Sequence, residues 1–284
     1  MGFLAGIITA VALSFQNTSF RKLQDIDAHF LNWFRFLTGS VALALLVTFL
    51  GEWHIPPKVF WYYLLGIVLP AEVLLAFLYV RAFQYSPQSL VGPLFSFSTV
   101  LLVPIAYIFL GELPTLIGFL GIGSVLAGSL ILGWDIHHPG VIRALSNIIK
   151  EKGSYFMIGA VIVASVSIVS TKALFYYATP FLSAFYITAL LTLVYSPAIF
   201  LYPFSRMYGR WPDFVGLLTA SVFERIFNYI GLSLLLAVNF ISIKRLSAMF
   251  DVLFGRIFLH EDHTVERMFG ALFMIAGVIL ILFS

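Results

Sequence analysis

The sequence predicts an all-α integral membrane protein of ten transmembrane helices, arranged as two inverted five-helix repeats. Composition is the first observation behind that prediction. Of 284 residues, 61% are hydrophobic and 10% charged, with a mean hydropathy of +1.01, whereas a soluble domain carries about 25% charged residues. Spacing is the second: apolar runs of about 20 residues, the length that crosses a bilayer, recur between polar or proline breaks. The third is a repeated line. "IFLGELPTLIGFLGIGSVLAGSLIL", from Ile108, returns 149 positions later as "IFLHEDHTVERMFGALFMIAGVILIL", keeping the glutamate (Glu112, Glu261), the threonine (Thr115, Thr264) and two glycines (Gly121 with Gly270, Gly128 with Gly277).

The predicted spans are 2–20, 28–50, 59–83, 88–110 and 114–134, then 155–174, 180–203, 213–236, 239–259 and 264–283. They group into a first repeat, 1–134, a linker, 135–154, and a second repeat, 155–284. Runs such as "VALALLVTFL" do not alternate apolar with polar residues, so helices are expected rather than barrel strands. The first run ends in the small residues "TAVALS" but has no positive charge before it and has a counterpart in the second half, so it is read as a span, not a cleaved leader. Five is odd, so the second repeat enters the membrane from the opposite face. Gly2 and Gly6, and Gly118, Gly121, Ser124 and Gly128, follow the three- and four-residue steps that let helices approach closely. In the fourth span Pro93 and Pro104 are expected to kink the helix. Glu112 and Glu261 stand at helix junctions just before Thr115 and Thr264, and capping of the next helix is the expected role. Within the linker, "VIRALSNIIKEK" puts Val141, Ile142, Leu145, Ile148 and Ile149 on one stripe, the pattern of an interfacial helix. Trp53, Trp61, Trp134 and Trp211 fall near span ends, as interface anchors do, and Trp33 lies deeper.

Charges inside a membrane are costly and call for a reason. Arg35, Glu72, Glu224, Arg225, Asp251 and Arg256 lie well inside the spans, three of each sign. A structural ion-pair network and a cavity lining both account for that balance, with Glu224–Arg225 and Asp251–Arg256 as the expected pairs. Glu72 and Tyr79 share a face of the third helix, while Ser221, Glu224, Arg225 and Asn228 gather on one side of the eighth. The offset of 149 maps Glu72 onto Ser221 and Tyr79 onto Asn228, so the same face is polar in both halves. Lys244, Ala248, Asp251 and Gly255 form a stripe on the ninth. The candidate substrate-binding set is therefore Arg35, Glu72, Tyr79, Glu224, Arg225, Asn228, Asp251 and Arg256. Glu72 has no basic neighbour within four positions on its own helix, which leaves a salt bridge to Arg35 or a proton-coupling role.

Several function classes are excluded or disfavoured. The absence of cysteine removes disulfide and thiolate chemistry, and the six histidines show no HExxH spacing, so no metal and no cofactor is expected. There is no phosphate-binding loop of the form GxxxxGK[ST] and no GxSxG elbow. The net charge of +3 comes from residues that mostly sit between apolar runs, where they set topology, so nucleic acid is not an expected partner. A small-molecule substrate and the lipid bilayer are the expected partners, protons are a further candidate, and a monomer and a homodimer are both open.

The five-plus-five layout, the repeated "FLxE" followed by spaced glycines, and "NWFRFLTGSVALALL" in the second span resemble the EamA-type transporters of the drug/metabolite transporter superfamily over nearly the whole chain. The resemblance implies a ten-helix bundle with a central cavity lined chiefly by the third, fourth, eighth and ninth helices. By position, Arg35 matches the family's second-helix arginine, and Glu112 and Glu261 its two loop acids. The ninth helix, "IKRLSAMFDVLFGRIF", departs from the pattern by its charge. What the resemblance implies is a secondary transporter of the inner (plasma) membrane, not an enzyme, exporting a small polar or amphipathic metabolite such as an amino acid by alternating access. The charge balance favours a zwitterion or weak anion over a cationic drug. A proton-coupled multidrug exporter, a non-transporting scaffold and an intramembrane enzyme are the alternatives. On orientation two arguments conflict. Odd-numbered connections hold Arg21, Lys22, Arg81, Arg143, Lys150, Lys152, Arg206, Arg210 and Arg267, against Lys58, Lys172, Lys244 and Arg245 in the even-numbered ones, which puts both termini outside. The family implies cytoplasmic termini.

Overall fold

A computed structural model describes residues 1–132, 151–201, 209–260 and 266–283. All regular structure among them is helical, and a helical segment stands at each predicted position. The first repeat comprises α1 (Gly2–Lys22), α2 (Ala28–Leu50), α3 (Lys58–Tyr63), which passes through a π-helical turn (Leu64–Val68) into α4 (Leu69–Tyr85), α5 (Gln88–Phe95), α6 (Ser98–Leu110) and α7 (Leu116–Leu132). The second comprises α8 (Lys152–Leu174), α9 (Pro180–Tyr195) with the short α10 (Ala198–Leu201), α11 (Trp211–Leu234), α12 (Ala237–Lys244), α13 (Ser247–Leu259) and α14 (Glu266–Leu282). Among the described residues, five stretches are long and apolar enough to cross a bilayer unaided: Gly2–Lys22, Ala28–Leu50, Lys58–Tyr85, Lys152–Leu174 and Pro180–Phe200. α8 starts at Lys152, so the linker ends earlier than expected; residues 133–150, which include Trp134, His137, His138 and the stripe from Val141 to Ile149, lie outside the described residues, as do Glu261, His263 and Thr264.

The fourth and ninth spans depart from the prediction of continuous helices. α5 gives way to α6 at Ser96–Phe97, and α12 to α13 at Arg245–Leu246. Adding 149 to every boundary of α5 and α6 reproduces the boundaries of α12 and α13. Both breaks close with tight three-residue bonds, Phe97 N to Leu94 O at 3.2 Å and Leu246 N to Ile243 O at 3.0 Å. Proline does not set the position: Pro104 sits inside α6 without ending it, and Pro93 and Pro104 map onto Ser242 and Leu253, neither a proline. A break shared by both repeats and independent of proline belongs to the architecture.

Helices of opposite repeats pair antiparallel, as inversion demands. α1 runs along α11, with Lys22 Nζ 3.3 Å from Asp213 at one end and Gly2 pressed on Leu235 at the other, where a Cβ would come within 2.8 Å of its Cγ. The equivalent pair after exchange of halves is α8 with α4, where a Cβ on Gly153 would lie 2.5 Å from the Ala82 carbonyl. α2 pairs with α9, joined by Thr179 Oγ1 donating to Glu52 at 2.6 Å and by Trp53 edge-on to Phe185. In the α7–α14 seam the repeated glycines meet in exchange: a Cβ on Gly121 would sit 2.6 Å from the Gly277 carbonyl, and one on Gly128 2.4 Å from that of Gly270. The small residues thus set helix approach, as their spacing predicts.

α1 is lined inward with polar residues: Ser14, Gln16, Asn17, Thr18 and Ser19 are all buried. Outward, the bundle shows large apolar side chains such as Leu45, Phe49 and Phe200, the arrangement suited to lipid. Trp53 and Trp211 are exposed at helix ends. Capping follows the sequence only in part. Thr115 Oγ1 accepts from Gly118 N at 3.1 Å and so caps α7. Glu112 instead serves the other repeat: it accepts from Ala237 N, the first residue of α12, at 2.7 Å and pairs with Lys172 Nζ at 2.5 Å. Finally, Lys244 and Arg245 lie at a mid-span break rather than in a connection, which leaves Lys58 and Lys172 as the basic residues of the even-numbered connections.

Candidate functional site

Between the repeats lies a cavity of about 110 Å³. Its walls come from α1, α2, α4 and α5 of the first repeat and α8, α11 and α12 of the second. A 3.6-residue period puts Glu72, Ala76 and Tyr79 of α4 on one inward stripe, and Glu224, Asn228 and Tyr229 of α11 on the facing one.

Glu224 is the hub of the second-repeat wall. Lys244, last residue of α12, donates to Glu224 Oε1 at 2.7 Å and to Asn228 Oδ1 at 2.7 Å, using two acceptors one helical turn apart on α11. Arg225 is more distant from the same carboxylate, with Nε 4.0 Å from Oε2. The expected partner of Glu224 was Arg225, its neighbour in sequence; adjacent residues of a helix point some 100° apart, whereas Lys244 approaches from a facing helix. Across the cavity, Phe36 is shared by two guanidinium groups, Arg35 with its Cζ 4.7 Å and Arg225 with its Cζ 5.2 Å from the ring centroid. Arg35 also donates to Gln16 Oε1 at 3.4 Å, and Gln16 donates to Ser221 Oγ at 2.7 Å, linking α2, α1 and α11.

Glu72 makes no ion pair among the described residues, so the expected salt bridge to Arg35 is not formed. Its carboxylate instead accepts from Ser167 Oγ of α8 at 2.5 Å. Tyr79 lines the cavity but donates its hydroxyl to Asn17 Oδ1 at 3.0 Å. Through Asn17 it reaches a second polar cluster that is sealed from the cavity. There the Asp251 carboxylate, 1% exposed, accepts from Asn17 Nδ2 at 3.1 Å and from Gln88 Nε2 at 2.6 Å. Gly92 makes room for that carboxylate: a Cβ at this position would lie 2.5 Å from Asp251 Oδ2. Asp251 therefore stands behind the cavity wall, not in it, and Arg256 is exposed on the outside of α13.

Of the eight expected site residues, Arg35, Glu72, Tyr79, Glu224, Arg225 and Asn228 line the cavity, and Asp251 and Arg256 do not. Lys244 and Arg245 line it as well. Their signal was present in "IKRL", two cations too deep in an apolar run to belong to a loop. Gln16, Asn17 and Gln88 gave no such signal, since neutral amides do not interrupt a hydropathy profile. With Lys244 and Arg245 included and Asp251 and Arg256 removed, four basic and two acidic side chains face the cavity, in place of an even balance.

The EamA-like transporter family model matches residues 1–134 and again 151–283, once for each repeat. The probable 4-amino-4-deoxy-L-arabinose-phosphoundecaprenol flippase subunits ArnE of Yersinia pestis (strain Pestoides F) and Yersinia pseudotuberculosis serotype O:3 (strain YPIII) are each 36% identical to this chain over 59 residues, 21% of it and 52% of each relative. The chain thus spans about half the length of the curated relatives it matches. A protein of solved crystal structure superposes with a TM-score of 0.69 over 99% of this chain and 96% of its own at 14% identity, a likeness of fold alone. The chain is a multi-pass protein of the inner (plasma) membrane, and, with both repeats matched, it belongs to the EamA-like transporter family of the drug/metabolite transporter superfamily.

Proposed function

We propose that this protein is a secondary transporter that exports a small carboxylate-bearing metabolite, such as an amino acid, by alternating access between the repeats 1–134 and 155–284. The observation that carries this reading is the polar cavity at the repeat interface, to which both halves contribute charged side chains. An inverted pair of repeats can rock so that one arrangement opens the cavity to one face and its mirror opens it to the other. Two acids against four bases give the cavity a net positive lining, which favours an anion or zwitterion and opposes a lipophilic cation.

Glu72 is the coupling residue in this reading. It lines the cavity with a hydroxyl as its hydrogen-bond partner rather than a fixed cation. When the cavity closes and water leaves, a proton on Glu72 removes a charge that would otherwise be stranded in low dielectric. Flux in proteoliposomes under an imposed pH gradient tests it. Glu72→Gln, which cannot titrate, should still exchange substrate at equilibrium but lose its response to the gradient. A variant that keeps full gradient dependence would refute the coupling role, and a wild-type protein that moves no solute would refute transport itself.

One observation favours a second reading, translocation of a lipid-linked anionic headgroup. An apolar pocket of about 680 Å³ lies between α4 and α9, with the exposed Leu74 and Val194 in its wall and Tyr195 closing it through a 2.7 Å bond to the Val73 carbonyl. Such a pocket would hold a hydrocarbon chain beside the cavity. Competition separates the two: transport of a water-soluble amino acid that no anionic lipid inhibits rules out the second reading.

A further inference from the structure

We propose that Arg245 is the docking point for the oxyanion of the substrate, a carboxylate or a phosphate. This rests on the transporter reading above and deepens it.

Arg245 occupies the break between α12 and α13, and its side chain crosses to the equivalent break in the first repeat. There Nη2 donates to Ser98 Oγ at 2.5 Å, and Cζ lies 4.0 Å from the centroid of Phe95. Phe95 ends α5 and Ser98 begins α6, so one guanidinium spans both interruptions. The residue is 2% exposed and lines the cavity. Its remaining nitrogens, Nε and Nη1, are buried and have no hydrogen-bond acceptor, and no acid lies within 4 Å of it among the described residues.

Each neighbouring cation differs from it. Lys244 is neutralised by Glu224 and satisfied by Asn228. Arg225 shares the Glu224 carboxylate. Arg35 donates to Gln16 and stacks on two rings, and only one of its nitrogens, Nε, is buried without an acceptor. Burying a guanidinium with two idle donor nitrogens is unfavourable unless a charged acceptor completes it in another state. A planar guanidinium beside an aromatic face, held at Nη2 by a hydroxyl, leaves both N–H donors of Nη1 and the single one of Nε unused, and so suits a compact oxyanion that takes a charge-assisted hydrogen bond. The small cavity accommodates such a group, and the surplus of bases supplies its countercharge. Glu224 meanwhile screens Lys244, and of the two cavity arginines without an ion pair among the described residues, Arg35 and Arg245, it is Arg245 that keeps two buried donor nitrogens idle.

The test uses the full chain in neutral-lipid nanodiscs, with thermal unfolding followed by tryptophan fluorescence. The probes are inorganic phosphate and L-glutamate, with choline chloride at matched ionic strength. At least one of the two anions should raise the unfolding temperature while choline chloride does not, and whichever acts identifies the oxyanion class. Arg245→Gln should need about tenfold more anion, or more, for the same shift. Arg245→Lys keeps the charge and loses the planar guanidinium, so it should fall between the two; it also covers the case in which Arg245→Gln does not fold. Arg256→Gln, outside the cavity, should respond as the wild type. A wild type stabilised by neither anion, or an Arg245→Lys or Arg245→Gln protein with an unchanged response, overturns the assignment. Failure of the site is distinguishable from failure of transport. An anion response lost in Arg245→Gln in a protein that moves no solute keeps the site and removes the transporter. Flux with an unchanged anion response in the variant does the reverse.

Discussion

In the first repeat α5 ends on Phe95 and the break before α6 begins with Ser96; at the same repeat positions in the second, α12 ends on Lys244 and the break before α13 begins with Arg245. The backbones coincide residue for residue under the 149 offset, and the chemistry does not. The first repeat offers the Phe95 ring and, two residues past Ser96, the Ser98 hydroxyl, and the second the cation that rests on them. Glu72 against Ser221, and Ala76 against Arg225, repeat the lesson on α4 and α11. Duplication kept what the inverted geometry needs, the breaks and the close-packed glycines, while side chains at the shared cavity diverged so that one half completes the other. A single asymmetric substrate cannot bind identically to two halves, so a cavity on a pseudo-twofold axis gains from this divergence.

The largest effect is expected where symmetry is retained. Gly128→Leu drives a side chain into the Gly270 carbonyl, 2.4 Å from where its Cβ would stand; because the obstacle is backbone, the cost should exceed ordinary overpacking and little or no folded protein should be recovered. Gly123→Leu, five positions earlier on the same helix with nothing within 4 Å, should leave the melting temperature unchanged. Equal losses in the two variants would show that the glycines do not set the α7–α14 approach.

The next effect probes divergence. Glu224→Gln leaves Lys244 buried without its counter-ion, a loss of about 3–5 kcal/mol by analogy with broken buried pairs. Lys244→Met on that background should restore most of the melting temperature, since the pair is then removed together. If the double variant is no better than the single one, Glu224 is held by something other than Lys244.

The sequence announced these two regions unequally. The seam was readable because glycines at three- and four-residue steps leave a direct mark, and two copies of the mark confirm each other. Glu72, Glu224 and Arg225 were readable because charge is conspicuous in an apolar run. The pairings were not. Glu224 finds Lys244 on another helix, and Glu112 caps α12 across the repeat boundary, because partner choice depends on tertiary approach and not on neighbours in the chain. The breaks at Ser96 and Arg245 were also hidden: proline was the expected sign, and neither break is made by one. Asp251 and Arg256 looked like a pair at i and i+5, yet that spacing puts them on different sides of α13, one buried and one exposed.

A smaller effect is expected at the Gly92–Asp251 contact, which has an apolar counterpart in Ile241 and Leu102, both members of one core cluster. Gly92→Ala puts a methyl 2.5 Å from the Asp251 carboxylate and should cost about 1–3 kcal/mol, and Asp251→Ala should relieve much of the strain when combined with it. Strictly additive losses would mean that Gly92 is not there for the carboxylate. The smallest effect concerns no stability at all. The chain has no cysteine, so single cysteines at His54 and Gln24 report sidedness without background. With Lys244 and Arg245 removed from the loops, the positive-inside rule predicts that an impermeant maleimide added to intact cells labels position 54 and spares position 24; the reverse pattern supports the cytoplasmic termini implied by the family.

The central claim, that two inverted repeats rock about a shared cavity, is met most directly by paired spin labels in this naturally cysteine-free chain. Gln24 and Trp211 lie at one end of the bundle, where Asp25 and Arg210 are 2.6 Å apart, and His54 and Tyr176 lie at the other, where Glu52 meets Thr179. Each pair joins the two repeats. Distance distributions from both pairs, recorded across pH in membranes where flux has been measured, should change in opposite senses: as 24–211 lengthens, 54–176 shortens. Two distances that stay fixed in a protein actively moving solute would contradict the account.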